Sequence, residues 1–251
     1  MKKIFACLLL GIVFIFSAKA QDDIIPNKPS PPHLYNNLSK ELPQFISSNE
    51  AATLEEKLIS IAESTSNQIA IVVVDDLGGT DINDFATRLF NKWGIGKDNN
   101  DNGVLILVKP TQTNGRRETF IVTGYGLESV LPDITCQKIV DNEILPNFKD
   151  GNYYLGLTNA VDAISKFASG EINEKDYGAR KRGGNIPWRY IIIAIILIFL
   201  FARGGFGGGF GSGLIIGSGG FSRGGGGGFG GGGFGGFGGG SSGGGGAGGS
   251  W

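Results

Sequence analysis

Cysteine and histidine are nearly missing from this 251-residue chain, which holds two cysteines, Cys7 and Cys136, and one histidine, His33. Cys7 lies inside an apolar run near the start, so removing that run leaves Cys136 alone and no internal disulfide can form. A single histidine in a proline-rich stretch argues against chemistry built on a histidine base or a His-ligated zinc ion. No phosphate-cradling P-loop is present, and no serine or cysteine stands beside an evident base. The glycines near the end show no Gly-X-Y period, which excludes a collagen helix. Net charge is also small, at −1.

That small value hides an asymmetry. Residues 21–170 carry twelve Lys or Arg against twenty Asp or Glu, a balance of −8, while residues 171–251 carry seven against three. An acidic folded segment is a poor match for nucleic acid, whose phosphates need a basic face, and a better one for cations or basic partners.

At the start, Lys2 and Lys3 precede the apolar run from Ile4 to Phe16, and Ser17-Ala18-Lys19-Ala20 offers an A-x-A cleavage site. Residues 1–20 therefore read as a secretory signal peptide. Residues 21–46, with Pro26, Pro29, Pro31, Pro32 and Pro43, read as an extended lead-in. From residue 47 to 170 the pattern is that of one folded domain. Ser47-Ser48-Asn49-Glu50 fits a capping box, followed by Leu54, Leu58 and Ile61 at helical spacing. Residues 68–74 make a β-branched run suited to a buried strand. Ile82, Phe85, Ala86, Leu89, Phe90 and Trp93 then form the clearest amphipathic helix signal, stopped by Gly94 and Gly96.

A second buried strand over 104–108 and a returning strand over 118–123 flank an Asn114-Gly115 turn. Two more helices follow, over 133–145, ended by Pro146, and over 152–168. Cys136 falls on an apolar helical face, where a buried, inert thiol is the stronger reading. The order predicts an α/β fold, a three-layer α/β/α sandwich with a small mixed sheet.

Beyond residue 170 the composition changes. A basic linker over 171–185 leads to an uncharged apolar run, and residues 186–202 give seventeen positions, the lower limit for a membrane-spanning helix. The arginines and lysine just before this run conflict with the positive-inside rule if the preceding domain is exported. Residues 203–251 are rich in glycine and phenylalanine and cannot repay the entropy of folding, so a disordered tail is expected. Its spaced phenylalanines offer a second reading, as stickers for self-association.

The loop Asp98-Asn99-Asn100-Asp101-Asn102-Gly103 carries the most suggestive chemistry. It matches the first half of an EF-hand, but the twelfth position is Lys109 instead of a bidentate glutamate, so it is not one. If the strands at 104–108 and 118–123 pair antiparallel, this loop lies beside Gly124-Tyr125-Gly126-Leu127-Glu128 and Asp133. Carboxylates about 4 Å apart repel by about 4 kcal/mol at an effective dielectric near 20, so such a cluster suits a cation. The same residues also suit a plain turn, a surface charge and a helix cap. Asp75 and Asp76 belong at the opposite sheet end and are left out.

The stretches Trp93-Gly94-Ile95-Gly96, Asp101-Asn102-Gly103-Val104-Leu105-Ile106-Leu107-Val108 and Ile121-Val122-Thr123-Gly124-Tyr125-Gly126-Leu127-Glu128-Ser129-Val130-Leu131-Pro132-Asp133 together resemble the signature of the TPM-domain family. Residues 148–157 fit it as well, and the whole plan, down to a tail ending Gly-Ser-Trp, is similar to bacterial membrane-anchored members. The resemblance implies an α/β/α domain that binds Ca²⁺ or Mg²⁺ through acidic loops, here Asp98, Asp101, Glu128 and Asp133, with Gly103, Gly124, Tyr125 and Gly126 shaping the loops. It also implies a membrane-anchored domain on the periplasmic or cell-surface side, acting as an interaction or assembly module with a protein partner. Some members are described as acid phosphatases, which keeps a metal-dependent phosphatase at the same loops as an alternative. The third reading is a scaffold that associates through the Gly/Phe tail.

Overall fold

Five strands form the sheet, and two of them come from segments without a strand pattern. The computed structural model describes residues 24–97, 99–113, 115–174, 177 and 234–251. The chain divides into two units, and the one described below comprises Met1–Asn173 with Gly233–Trp251. The expected signal peptide, residues 178–185 of the linker, the apolar run at 186–202 and residues 203–233 lie outside the described residues. Among the described residues no helix is long and apolar enough to cross a membrane.

Strand order is sequential. β1 (Tyr35–Asn37), β2 (Gln68–Val73) and β3 (Gly103–Lys109) run parallel, and β4 (Glu118–Thr123) and β5 (Gly246–Ser250) add antiparallel neighbours. This is an α/β fold on a mixed five-stranded sheet. Within the extended lead-in over 21–46, the three residues of β1 join the sheet, a pairing the sequence pattern did not predict. Backbone N–H groups at Leu34 and Tyr35 donate to the Glu55 carboxylate at 2.9 and 2.6 Å, which fixes the segment beside β2. β5 corrects the expectation of a tail disordered throughout 203–251.

The helices follow the sequence signals closely at their starts. Helix α1 (Ser48–Thr65) opens with the full capping box: Glu50 N donates to Ser47 Oγ, and Ser47 N to Glu50 Oε2 at 2.8 Å. Helix α2 (Ile82–Trp93) ends at Gly94, whose φ of 63° is the left-handed cap that glycine favours. Its apolar stripe, with Phe85, Leu89 and Trp93, packs with Ala70, Val72, Leu105, Leu107, Phe120 and Val122 on one sheet face. Alternation along the strands sends Ile69, Ile71, Val104, Ile106 and Ile121 to the other face, where they are also buried.

Pro146 does not end the third helical stretch. α3 (Asp133–Ile139) passes through a π-helical turn (Val140–Ile144) into α4 (Leu145–Lys149), where Pro146 sits in the first turn. The wide π turn before it accommodates both the proline ring and the N–H that proline lacks, so the helical stretch runs on past it. α5 (Tyr153–Ala168) closes the domain.

Candidate functional site

Two loops meet at the end of the sheet where β3 begins and β4 finishes. Gly124 N donates to Gly103 O at 2.9 Å and Gly126 N to Asp101 O at 3.1 Å, so the antiparallel pairing of β3 and β4 draws the loops together as expected. Their approach leaves no room for a side chain. A Cβ on Gly124 would collide with Asp101 O, one on Gly126 with Asn100 O, and one on Gly103 with Ile95 O. Asn102 is buried and clips the loop from inside, accepting from Lys97 N at 3.1 Å and donating to Ser66 O at 2.8 Å. Asp101 adopts a φ of 44°, a left-handed conformation that aspartate tolerates better than most residues.

Asp101, Glu128 and Asp133 all lie against one segment, the chain's own glycine-rich stretch. Asp101 Oδ1 accepts from Ser241 N at 2.7 Å and from Ser241 Oγ at 2.9 Å. Asp133 Oδ1, in the first turn of α3, accepts from Gly246 N at 2.7 Å. Between these anchors a Cβ on Gly245 would lie 3.3 Å from Glu128 Oε1 and 3.4 Å from Asp133 Oδ1. Tyr125 N donates to Ser241 O at 3.3 Å, and its ring presses on Gly243, where a Cβ would come within 2.6 Å of the phenolic oxygen. Asp98 lies outside the described residues.

The contact continues on both sides. Upstream, Gly238 N and Gly239 N donate to Gly96 O and Gly94 O, both at 2.8 Å, and Phe237 stacks obliquely on Trp93 with ring centres 5.9 Å apart. Ser242 exchanges two hydrogen bonds with the Asn91 amide, at 3.0 and 3.1 Å, and its hydroxyl donates to Thr123 O at 2.6 Å. Downstream, β5 completes the ladder on β4 from Val122↔Gly246 to Glu118↔Ser250. Trp251 ends the path, its ring edge-on to Phe148 at 4.8 Å with the Arg117 guanidinium 5.9 Å from its centre.

The carboxylates are the hard oxygen donors that Ca²⁺ or Mg²⁺ takes. Among the described residues, however, no three His, Cys, Asp or Glu side chains stand close enough to hold a metal ion, and Asp101 and Asp133 already accept N–H groups from the segment. The donor chemistry fits a cation, while the arrangement with the segment seated does not close a ligand set around one.

Other candidates fall elsewhere. His33 contacts Glu55 at 3.5 Å beside β1, and Arg116 pairs with Glu118 at 2.6 Å at the opposite end of β4 from Thr123. Lys109, at the position an EF-hand would give to glutamate, ends β3 with its ammonium donating to Thr111 O and Arg116 O at 3.0 Å. Cys136 is fully buried, and burial followed by the charge of Asp133 pushes its thiol up to about 12, which keeps it protonated and unreactive. Asp75 lies past the far end of β2, as expected. It binds Ser39 Oγ, Lys40 N (2.6 Å) and Glu41 N (3.2 Å), a clamp on the loop after β1.

What sequence reasoning missed is the seated segment itself. Its only signals were the two serines at 241–242 within the glycines and the closing Trp251, none of which has a strand or helix period.

A model of the TPM domain matches residues 40–167. A search of curated proteins found no match. Among solved structures, the N-terminal domain of a P. gingivalis protein, determined by NMR, is 27% identical with a TM-score of 0.50, over 60% of this chain and 92% of that domain. An N-terminal domain from Corynebacterium glutamicum, also determined by NMR, is 12% identical with a TM-score of 0.41, over 57% of this chain and 84% of that one.

Proposed function

The chain belongs to the TPM domain family, and we propose that its domain is a binding module whose acidic loops and β4 edge form a single receptor for an extended, glycine-rich segment. One observation carries this reading: Asp101 and Asp133 each accept a backbone N–H from that segment at 2.7 Å, on either side of Gly245. Charge-assisted hydrogen bonds of this kind are roughly twice as strong as neutral ones. The residues singled out by the family signature support it further, because Gly94, Gly96, Asp101, Tyr125 and Asp133 all touch the segment.

A divalent cation is the competing ligand. Asp101, Glu128 and Asp133 would offer oxygen donors to Ca²⁺ or Mg²⁺ once Ser241 and Gly246 withdraw, so cation and segment exclude each other at these carboxylates. Hydrogen exchange of the full chain tests both halves of the proposal. Amides of 241–250 are protected in chelator, and millimolar Ca²⁺ or Mg²⁺ raises their exchange without touching β2 and β3. Exchange of 241–250 at unprotected rates in chelator would overturn the receptor, and unchanged exchange with either cation would overturn the competition.

In the cell the proposal places this module at the envelope, exported by residues 1–20 and anchored by residues 186–202. A seated segment and its domain must share one side of any membrane. Seating therefore requires the apolar run at 186–202 to enter and leave on the domain's side, since a single crossing would part the segment from every domain in that membrane.

A further inference from the structure

We propose that the receptor selects its ligand by shape and takes the segment Ser241–Trp251 from a second copy of this chain as well as from its own, so that copies join head to tail. The inference rests on the receptor reading above and names its partner.

Selectivity follows from how little space the β4 edge leaves. A Cβ on Gly248 would come within 2.5 Å of the Phe120 ring and 2.6 Å of Thr119 O, and one on Gly249 within 2.8 Å of Leu145 Cδ1. One on Gly246 would collide with Ile121 O. Most L-residues are thus refused at Gly246 and Gly248, where backbone oxygens stand in the way, and Gly249 admits one only if Leu145 shifts, while Ala247 fits, buried on the face opposite Gly248. Trp251 supplies the large contact, against Phe148 and Arg117. Recognition is by added strand: main-chain bonds hold the ligand and alternate positions choose it. Such a ligand carries its contacts with the carboxylates and the β4 edge within eleven residues, Ser241 to Trp251.

Exchange follows from the connection. Glu174–Gly232 forms a separate unit between the domain and the segment. At no more than about 3.5 Å per residue, its fifty-nine residues set an upper reach of about 200 Å, far beyond the home edge. An identical element makes the same contacts on the same edge of a neighbour, and a tether of that length lets it reach there whenever the neighbour's edge is open, which permits swapping between protomers. Because donor and acceptor surfaces differ, each copy can give one strand and receive one.

Two full-length variants test this. Gly248→Val spoils the ligand and leaves the receptor open, while Asp101→Ala/Asp133→Ala weakens the receptor and leaves the ligand intact. A labelled peptide of Ser241–Trp251 is first titrated onto Gly248→Val and onto a chain stopped at residue 240. It should bind both in a saturable way and bind the wild type at least tenfold more weakly, and the same peptide carrying Gly248→Val should not bind. Sedimentation of the two full-length variants then reads exchange, with each sedimenting alone as a monomer and the mixture giving a 1:1 complex that excess peptide dissolves. If the peptide binds but the mixture stays monomeric, the receptor stands and exchange between copies is overturned. If the peptide binds neither open receptor, both readings fall.

Discussion

Replacing Asp101 should release the glycine-rich segment locally and strain the loop globally, and the two effects separate cleanly. Asp101 Oδ1 holds Ser241 through two hydrogen bonds, at 2.7 and 2.9 Å. A hydrogen bond to a charged group contributes about 1.5–3 kcal/mol, and partial exposure and the shared acceptor atom bring the pair to about 2–3 kcal/mol in Asp101→Ala. At about 1.4 kcal/mol per factor of ten, the open population of the segment rises about 30- to 150-fold. Asp101→Asn keeps an acceptor and loses only the charge, so its rise is smaller, about 5- to 10-fold. Alanine also loses the side chain that eases the φ of 44°, which adds about 1–2 kcal/mol of loop strain felt by the whole domain. Hydrogen exchange resolved by residue reads both effects. Amides of Ser241 to Ser250 should lose protection in the order wild type, Asn, Ala, and β2 and β3 should respond only to Ala, through global stability. Equal exchange of 241–250 in all three proteins would show that the carboxylate holds nothing.

Further outcomes follow from the same contacts. Alkylating reagents should leave Cys136 untouched in the native chain and modify it once unfolded, because burial and Asp133 hold its thiol near 12; labelling of Cys136 at neutral pH without unfolding would contradict this. Burial works to raise the Asp75 carboxyl, but its bonds from Ser39, Lys40 and Glu41 prevail and lower it from the ordinary 3.8. Its contribution is therefore present above pH 4 and lost as pH falls through the lowered value; Asp75→Asn should flatten the stability-pH curve below about pH 4, and an unchanged acid limb would refute the clamp. Ser47→Ala removes the cap of α1 and should cost about 1 kcal/mol in denaturant unfolding, with an unchanged midpoint counting against the capping box.

The sequence carried those parts of the fold whose side chains decide it. α2 was legible because Phe85, Leu89 and Trp93 recur on one face, and β2 and β3 because β-branched runs can be buried on both sides. The meeting of Asp101 with Gly124 and Gly126 was legible too, since antiparallel pairing of two adjacent strands brings their outer loops together. β1 and β5 were not. Tyr35-Asn36-Asn37 and Gly246-Ala247-Gly248-Gly249-Ser250 have no apolar alternation, and their strand form comes from the edges they join and from Glu55 and Asp133. A glycine run that is intrinsically floppy becomes a strand only because a neighbouring edge has no room for anything larger, and that edge is invisible until the sheet is assembled. The carboxylates were visible, but backbone N–H groups, their partners in this structure, carry no signature in residue type.

Seating of β5 along β4 is tested directly by a double-cysteine trap. Glu118 and Ser250 face each other across the ladder. In full-length Glu118→Cys/Ser250→Cys, mild oxidation should form the 118–250 disulfide quantitatively, either within one chain or between two, and adding Gly248→Val should abolish it. Failure to form that bond, or its formation equally well with Gly248→Val, would contradict the seated strand and with it the receptor.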